Sequence, residues 1–172
     1  MSAPPKINVK CLNKTYLIDG KSEGILEEID FFVRPGEFVS IIGASGCGKS
    51  TFLNILAGLE PHDSGLIEID GISTDARLGK VGYMQQKDLL LPWRTVLDNA
   101  ILGLQIMGVA RKRARIDALD LIHQFGLSGF ENQYPHALSG GMRQRAAFLR
   151  TMLLNQSIIL LDEPFGALDA LT

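Results

Sequence analysis

Glu37-Phe38-Val39-Ser40-Ile41-Ile42-Gly43-Ala44-Ser45-Gly46-Cys47-Gly48-Lys49-Ser50-Thr51 passes from an apolar, β-branched run through three glycines into a helical pattern. Pro35-Gly36 bounds the run on one side and Gly43 on the other, which predicts a buried strand over 37–42. Gly43, Gly46 and Gly48 let the backbone turn its N–H groups inward, a concave nest for phosphate oxygens. From Gly48 onward Phe52, Leu53, Leu56 and Leu59 recur on one face, so a helix is expected there, with Gly58 as its C-terminal cap. The positive end of that helix would point at an anion. Lys49 supplies a charge for the β and γ phosphates, and Ser50 offers a hydroxyl to Mg²⁺. Strand, loop and helix in this order imply an α/β nucleoside-triphosphate-binding fold. Cys47, inside the loop, reads either as a reactive thiol at a helix N-terminus or as a small filler.

Two segments further along complete the pattern. Asn155-Gln156-Ser157-Ile158-Ile159-Leu160-Leu161 reads as a second buried strand that ends in Asp162-Glu163-Pro164. Carboxylates at the carboxyl end of such a strand are where a doubly wound sheet meets its ligand. Asp162 is suited to Mg²⁺, and Glu163, aimed differently, to polarising an attacking water. Leu138-Ser139-Gly140-Gly141-Met142-Arg143-Gln144-Arg145 starts a helix that continues through Ala146, Ala147, Leu149 and Leu153. Ser139 is its N-cap, and with Gly140 and Gly141 it forms a second backbone anion site.

On these residues the chain resembles the nucleotide-binding subunit of an ATP-binding cassette (ABC) transporter. The phosphate loop, the Ser139-Gly140-Gly141 signature and the Asp162-Glu163 pair match the family's motifs in order, and Gly166-Ala167-Leu168-Asp169 is similar to the loop after its catalytic Glu. The resemblance implies an ABC-type phosphate-loop fold with an antiparallel β subdomain and a helical subdomain over about 88–150. It treats residues 1–172 as one such domain, incomplete at the C-terminus. Tyr16 resembles the aromatic that stacks on adenine, although a strand-packing Tyr would look the same. Gln86 resembles the family's Gln that contacts Mg²⁺ and the attacking water; it is preferred to Gln85 for its spacing from Pro92. Leu89-Leu90-Leu91-Pro92-Trp93-Arg94 through Asn99 is similar to importers of the nitrate, sulfonate and taurine type.

The implied ligands are ATP and Mg²⁺. Catalytic roles fall to Glu163, Gln86 and Lys49, and metal contacts to Ser50, Gln86 and Asp162. The nucleotide would meet Tyr16, Gly43 to Thr51 and Asp169, and, across a head-to-tail dimer, Ser139, Gly140 and Gly141 of a second chain. That partner is either a second copy or a paired ATPase subunit, and permease subunits in the membrane, with a solute-binding protein beyond them, complete the system. The family's switch His belongs beyond Asp169, where this sequence ends; His136 precedes the signature and cannot serve. Met142 stands where Gln is common. Two other readings stay open: an ATP-binding module that hydrolyses little, and a soluble ABC ATPase of DNA repair or translation.

Bulk properties fit a cytosolic protein, and the resemblance implies a peripheral place on the inner, cytoplasmic face of the cell membrane. At 172 residues with 46% apolar content the chain can bury a core, and its net charge of −2 makes no electrostatic case for nucleic acid. No apolar run is long enough to span a bilayer, no secretory signal is evident, and two distant cysteines suggest a reducing compartment. Strands are expected from Ile7 to Val33 and Gly65 to Asp70, with turns at Asp19-Gly20 and Asp70-Gly71. A helix should run from Thr95, capped with Asp98, to Gly108, and another from Lys112 to Phe125. Arg111, Lys112, Arg113 and Arg115 read as the solvated start of that helix or as a lipid or partner patch. Trp93 and its apolar neighbours are the better partner-facing candidate, unless the run packs in the core.

Overall fold

The computed structural model describes residues 4–73 and 77–164. The chain divides into two compact units, Met1–Gly79 and Lys80–Thr172.

In the first unit, strand β1 (Ile7–Ile18) turns at Asp19-Gly20 into β2 (Lys21–Val33). Both turn residues have positive φ, 50° and 75°, which matches the right-handed twist of the strands they join. β3 (Ser64–Ile69) lies on the other side of β1, and β4 (Ile72–Ser73) follows the Asp70-Gly71 turn. The antiparallel order is β2-β1-β3-β4. Alternation buries Ile7, Val9, Ile67 and Ile69. Helix α1 (Lys49–Ala57) buries Phe52, Leu53, Ile55 and Leu56. Phe31 of β2 meets Phe52 of α1 edge to face, with ring centroids 5.2 Å apart.

The second unit holds β5 (Gly82–Met84) and helices α2 (Val96–Ala100), α3 (Leu102–Ile106), α4 (Arg111–Gln124) and α5 (Gly140–Met152). β6 (Ile159–Leu161) pairs in parallel with β5. Its core joins Val96, Leu97 and Ile101 to Ala114, Ala118 and Ile122 of α4 and to Ala146 and Leu149 of α5. Small alanines on α4 and α5 let these backbones approach. Asn99 is fully buried among them, and its amide bonds Leu91 and Arg94 of the preceding loop.

Several expectations need correction. Residues 37–42 form no strand among the described residues, and Phe38 and Ile42 are 88% and 93% exposed. β-branched composition states a preference, whereas a strand needs a neighbour for its hydrogen bonds. The strand expected over 155–161 shortens to Ile159–Leu161, because Asn155 takes a left-handed φ of 49° just after α5. The helix expected from Thr95 to Gly108 is two short helices meeting at Ile101, where ψ is −4°. Leu59, past the cap Gly58, is exposed rather than on the apolar face.

Candidate functional site

The phosphate loop lies in the first unit. Gly48 is the N-cap of α1 at φ 91°, a left-handed conformation that glycine adopts without penalty, and no side chain caps the helix. A Cβ at Gly48 would sit 3.0 Å from Ile25 and Leu26 side-chain atoms, so the position is closed sterically as well. No acid occupies the first turn of α1, leaving its positive end to an external anion. The Lys49 ammonium folds back to donate to the carbonyls of Gly43 (2.9 Å) and Ala44 (2.8 Å) and lies 3.8 Å from Cys47 Sγ. Those carbonyls are the sort of oxygen partner that a phosphate would replace. Loop and cation thus fit a polyphosphate.

Tyr16 projects from β1 in the same unit. Its hydroxyl donates to the Glu60 carboxylate and also engages Thr51 in the first turn of α1. Two sequence candidates, Tyr16 and Thr51, are therefore in contact. Burial first, then the Glu60 bond, push the Tyr16 hydroxyl above its ordinary range. The Lys14 ammonium lies 5.2 Å from the ring centroid and 3.7 Å from Glu60.

The second unit brings Gln86 and Glu163 together. Gln86 Nε2 donates to Glu163 Oε2 at 2.7 Å, although 77 positions separate them. Asp162 is 5% exposed at the end of β6, and its N–H extends the ladder to the Met84 carbonyl at 2.9 Å. Burial, with the Asp162 charge beside it, pushes the Tyr83 hydroxyl far up. Glu163 is exposed and takes a left-handed φ of 49°. Ser139 caps α5 as expected, its Oγ accepting from the Met142 N–H at 3.3 Å. Gly140 and Gly141 open that helix, whereas Asp169 lies outside the described residues.

The candidate metal contacts, the Ser50 hydroxyl, Gln86 amide and Asp162 carboxylate, are oxygen donors that suit a hard dication such as Mg²⁺. Three of the four cations of the basic cluster are paired: Arg111 with Asp98 at 2.8 Å, Arg115 with Asp98 at 3.7 Å, and Arg113 with Asp117 at 3.1 Å. A solvated helix start describes it better than an anion patch. Trp93 is 71% exposed while Leu90 is buried, so the Leu-Leu-Leu-Pro-Trp run splits between core and surface.

Sequence reasoning missed Gln144, Arg143 and Arg150. Gln144 Nε2 donates to the Glu163 carbonyl at 3.2 Å. Arg143 reaches Asp88 at 3.2 Å, and Arg150 donates to the Asp88 and Leu89 carbonyls at 2.7 and 2.8 Å. The available signal was a polar residue, Gln144, at i, i+3 and i+7 spacing with Ala147 and Thr151, which are buried on the same side of the helix.

Glycine nest, helix-borne lysine and strand-end carboxylates define a phosphate-loop nucleotide-binding protein, here joined to an antiparallel sheet and a set of helices. A family model described as ABC transporter matches residues 26–166, and the chain belongs to that family. It is 48% identical over 151 residues to the formylaminopyrimidine import ATP-binding protein ThiZ of Halalkalibacterium halodurans, covering 88% of this chain and 58% of that protein. It is 45% identical to the taurine import ATP-binding protein TauB of Rhizobium johnstonii, covering 89% of this chain and 58% of that one. For the aliphatic sulfonates import ATP-binding protein SsuB 1 of Rhodococcus jostii the values are 48%, 86% and 57%. The chain thus spans under two thirds of these relatives' length. A bacterial ABC transporter cassette solved as a dimer superposes with a TM-score of 0.88 at 36% identity, covering 95% of this chain and 76% of that one. Among the described residues no helix is long and apolar enough to cross a membrane.

Proposed function

We propose that this chain is the ATP-binding part of an importer's ATPase subunit, which binds and hydrolyses Mg·ATP to drive a small solute through partner permease subunits. The observation that carries the reading is the 2.7 Å hydrogen bond between Gln86 and Glu163, side chains assigned separately to the attacking water. Lys49 and the first-turn N–H groups of α1 neutralise the β and γ phosphates, and Tyr16 stacks on the adenine. Ser50, Gln86 and Asp162 hold the metal; bound Mg²⁺ supplies Lewis-acid polarisation of the phosphoryl oxygens. Glu163 accepts the proton of the attacking water while Gln86 orients both. In a head-to-tail pair, Ser139, Gly140 and Gly141 of the second chain close over the nucleotide, and Asp169 is a further nucleotide contact. The loop after Gln86, with Trp93 at its surface, faces the permease at the inner side of the membrane.

Two of the named relatives import sulfonates, taurine among them, so a small sulfonate is the leading cargo, with nitrate and formylaminopyrimidine behind it. The experiment compares Lys49→Ala and Glu163→Gln in the native protein. Lys49→Ala should lose ATP affinity. Glu163→Gln should keep ATP bound, accumulate as a dimer on size exclusion, and turn over about 10²–10⁴-fold more slowly, the usual yield of a general base. Wild-type turnover by Glu163→Gln would remove the base from its role.

A further inference from the structure

We propose that Gln144 is a positioning residue for Glu163, fixing the backbone from which the carboxylate is aimed. This rests on the reading of Glu163 as the base. Gln144 sits in the second turn of α5, only 8% exposed, on the side of the helix that Ala147 and Thr151 also bury. A buried amide there is costly unless bonded, and an apolar residue would fill the space with less risk. Its Nε2 donates to the main-chain carbonyl of Glu163, at 3.2 Å.

That carbonyl belongs to a residue at φ 49°, a conformation that L side chains other than Asn and Asp enter reluctantly. Such a conformation persists when its surroundings over-determine it. Here three bonds do so. The Asp162 N–H is tied to Met84 by the β5–β6 ladder, the Glu163 carbonyl is tied to Gln144, and the carboxylate is tied to Gln86. Release of the carbonyl would let the backbone relax toward negative φ. The carboxylate would then swing away from Gln86, because side-chain direction follows the backbone. α5 also anchors the loop that carries Gln86, through Arg143 to Asp88 and Arg150 to the Asp88 and Leu89 carbonyls. The helix begun at Ser139 therefore holds both members of the Gln86–Glu163 pair, and Gln144 is its hold on Glu163.

The test uses Gln144→Glu, which keeps the shape but turns an oxygen toward the carbonyl, and Gln144→Met, which removes the donor at similar length. Both are assayed in the native protein for Mg·ATP turnover and ATP affinity, beside Glu163→Gln. The expected result is a kcat at least tenfold lower with KM within twofold of wild type. Turnover within twofold of wild type in Gln144→Met, or a fall in ATP affinity matching the fall in turnover, overturns the proposal. If Gln144→Glu does not fold, Gln144→Met alone decides. Should Glu163→Gln itself hydrolyse ATP at the wild-type rate, the assignment of the base fails, an outcome distinct from an inert Gln144.

Discussion

Replacing Asn99 by Ala should destabilise the protein by about 3 kcal/mol. Asn99 is completely buried at the fourth position of α2. Its Oδ1 accepts from the Leu91 N–H at 2.7 Å; its Nδ2 donates to the carbonyls of Leu91 (3.1 Å), Arg94 (3.0 Å) and Thr95 (3.0 Å). Two of those backbone groups keep another partner: the Leu91 carbonyl also accepts from Arg94, and that of Thr95 from the Asn99 N–H. The Leu91 N–H and the Arg94 carbonyl lose the partner that Asn99 supplies. Each such loss costs about 1–3 kcal/mol when burial is complete and less where water can enter. With a urea m-value near 2 kcal/mol/M, the midpoint should fall by about 1–2 M. Trp93 is the single tryptophan and lies inside this strapped loop, so its emission and far-ultraviolet dichroism together report whether loop and helices melt at once. Asn99→Asp, which presents a carboxylate oxygen to three carbonyls, should be at least as damaging at neutral pH. A midpoint within about 0.3 M of wild type for both variants would refute the reasoning, since the amide would then be dispensable.

Gly48→Ala places a Cβ at φ 91° and within 3.0 Å of Ile25 and Leu26 side-chain atoms. It should cost about 1–3 kcal/mol and weaken ATP binding more than tenfold by calorimetry; unchanged affinity would dismiss the role of this backbone position. Tyr83 gives a pH signature. Its hydroxyl is held well above the ordinary value near 10 by burial and then by Asp162, so the unfolded chain releases that proton first. The contribution is intact below about pH 10 and is lost as pH climbs toward the folded value. Tyr83→Phe should therefore flatten the alkaline fall in unfolding free energy by at most about 1 kcal/mol per pH unit, read from urea curves between pH 9 and 11. Identical slopes would mean that Tyr83 ionises freely in the folded protein.

The legible part of this chain is its local chemistry. Asp19-Gly20 specified a hairpin, Gly48 and Gly58 the two ends of α1, and Ser139 the start of α5, because each meets a dihedral or hydrogen-bond need within a few residues. Nest, lysine and strand-end carboxylates were readable for the same reason. Phe38 to Ile42 had the composition of a buried strand yet lie exposed, since pairing depends on what lies alongside and not on the run itself. Sequence reasoning assigned no role to Gln144 or Asn99. Their burial, and the meeting of Gln86 with Glu163, are settled by packing between segments far apart in the chain, where periodicity carries no information. The sequence alone therefore determined which groups are present and which local turns carry them. Tertiary structure decided which of those groups touch, because a hydrogen bond of 2.7 Å between positions 86 and 163 exists only once β5 and β6 have paired.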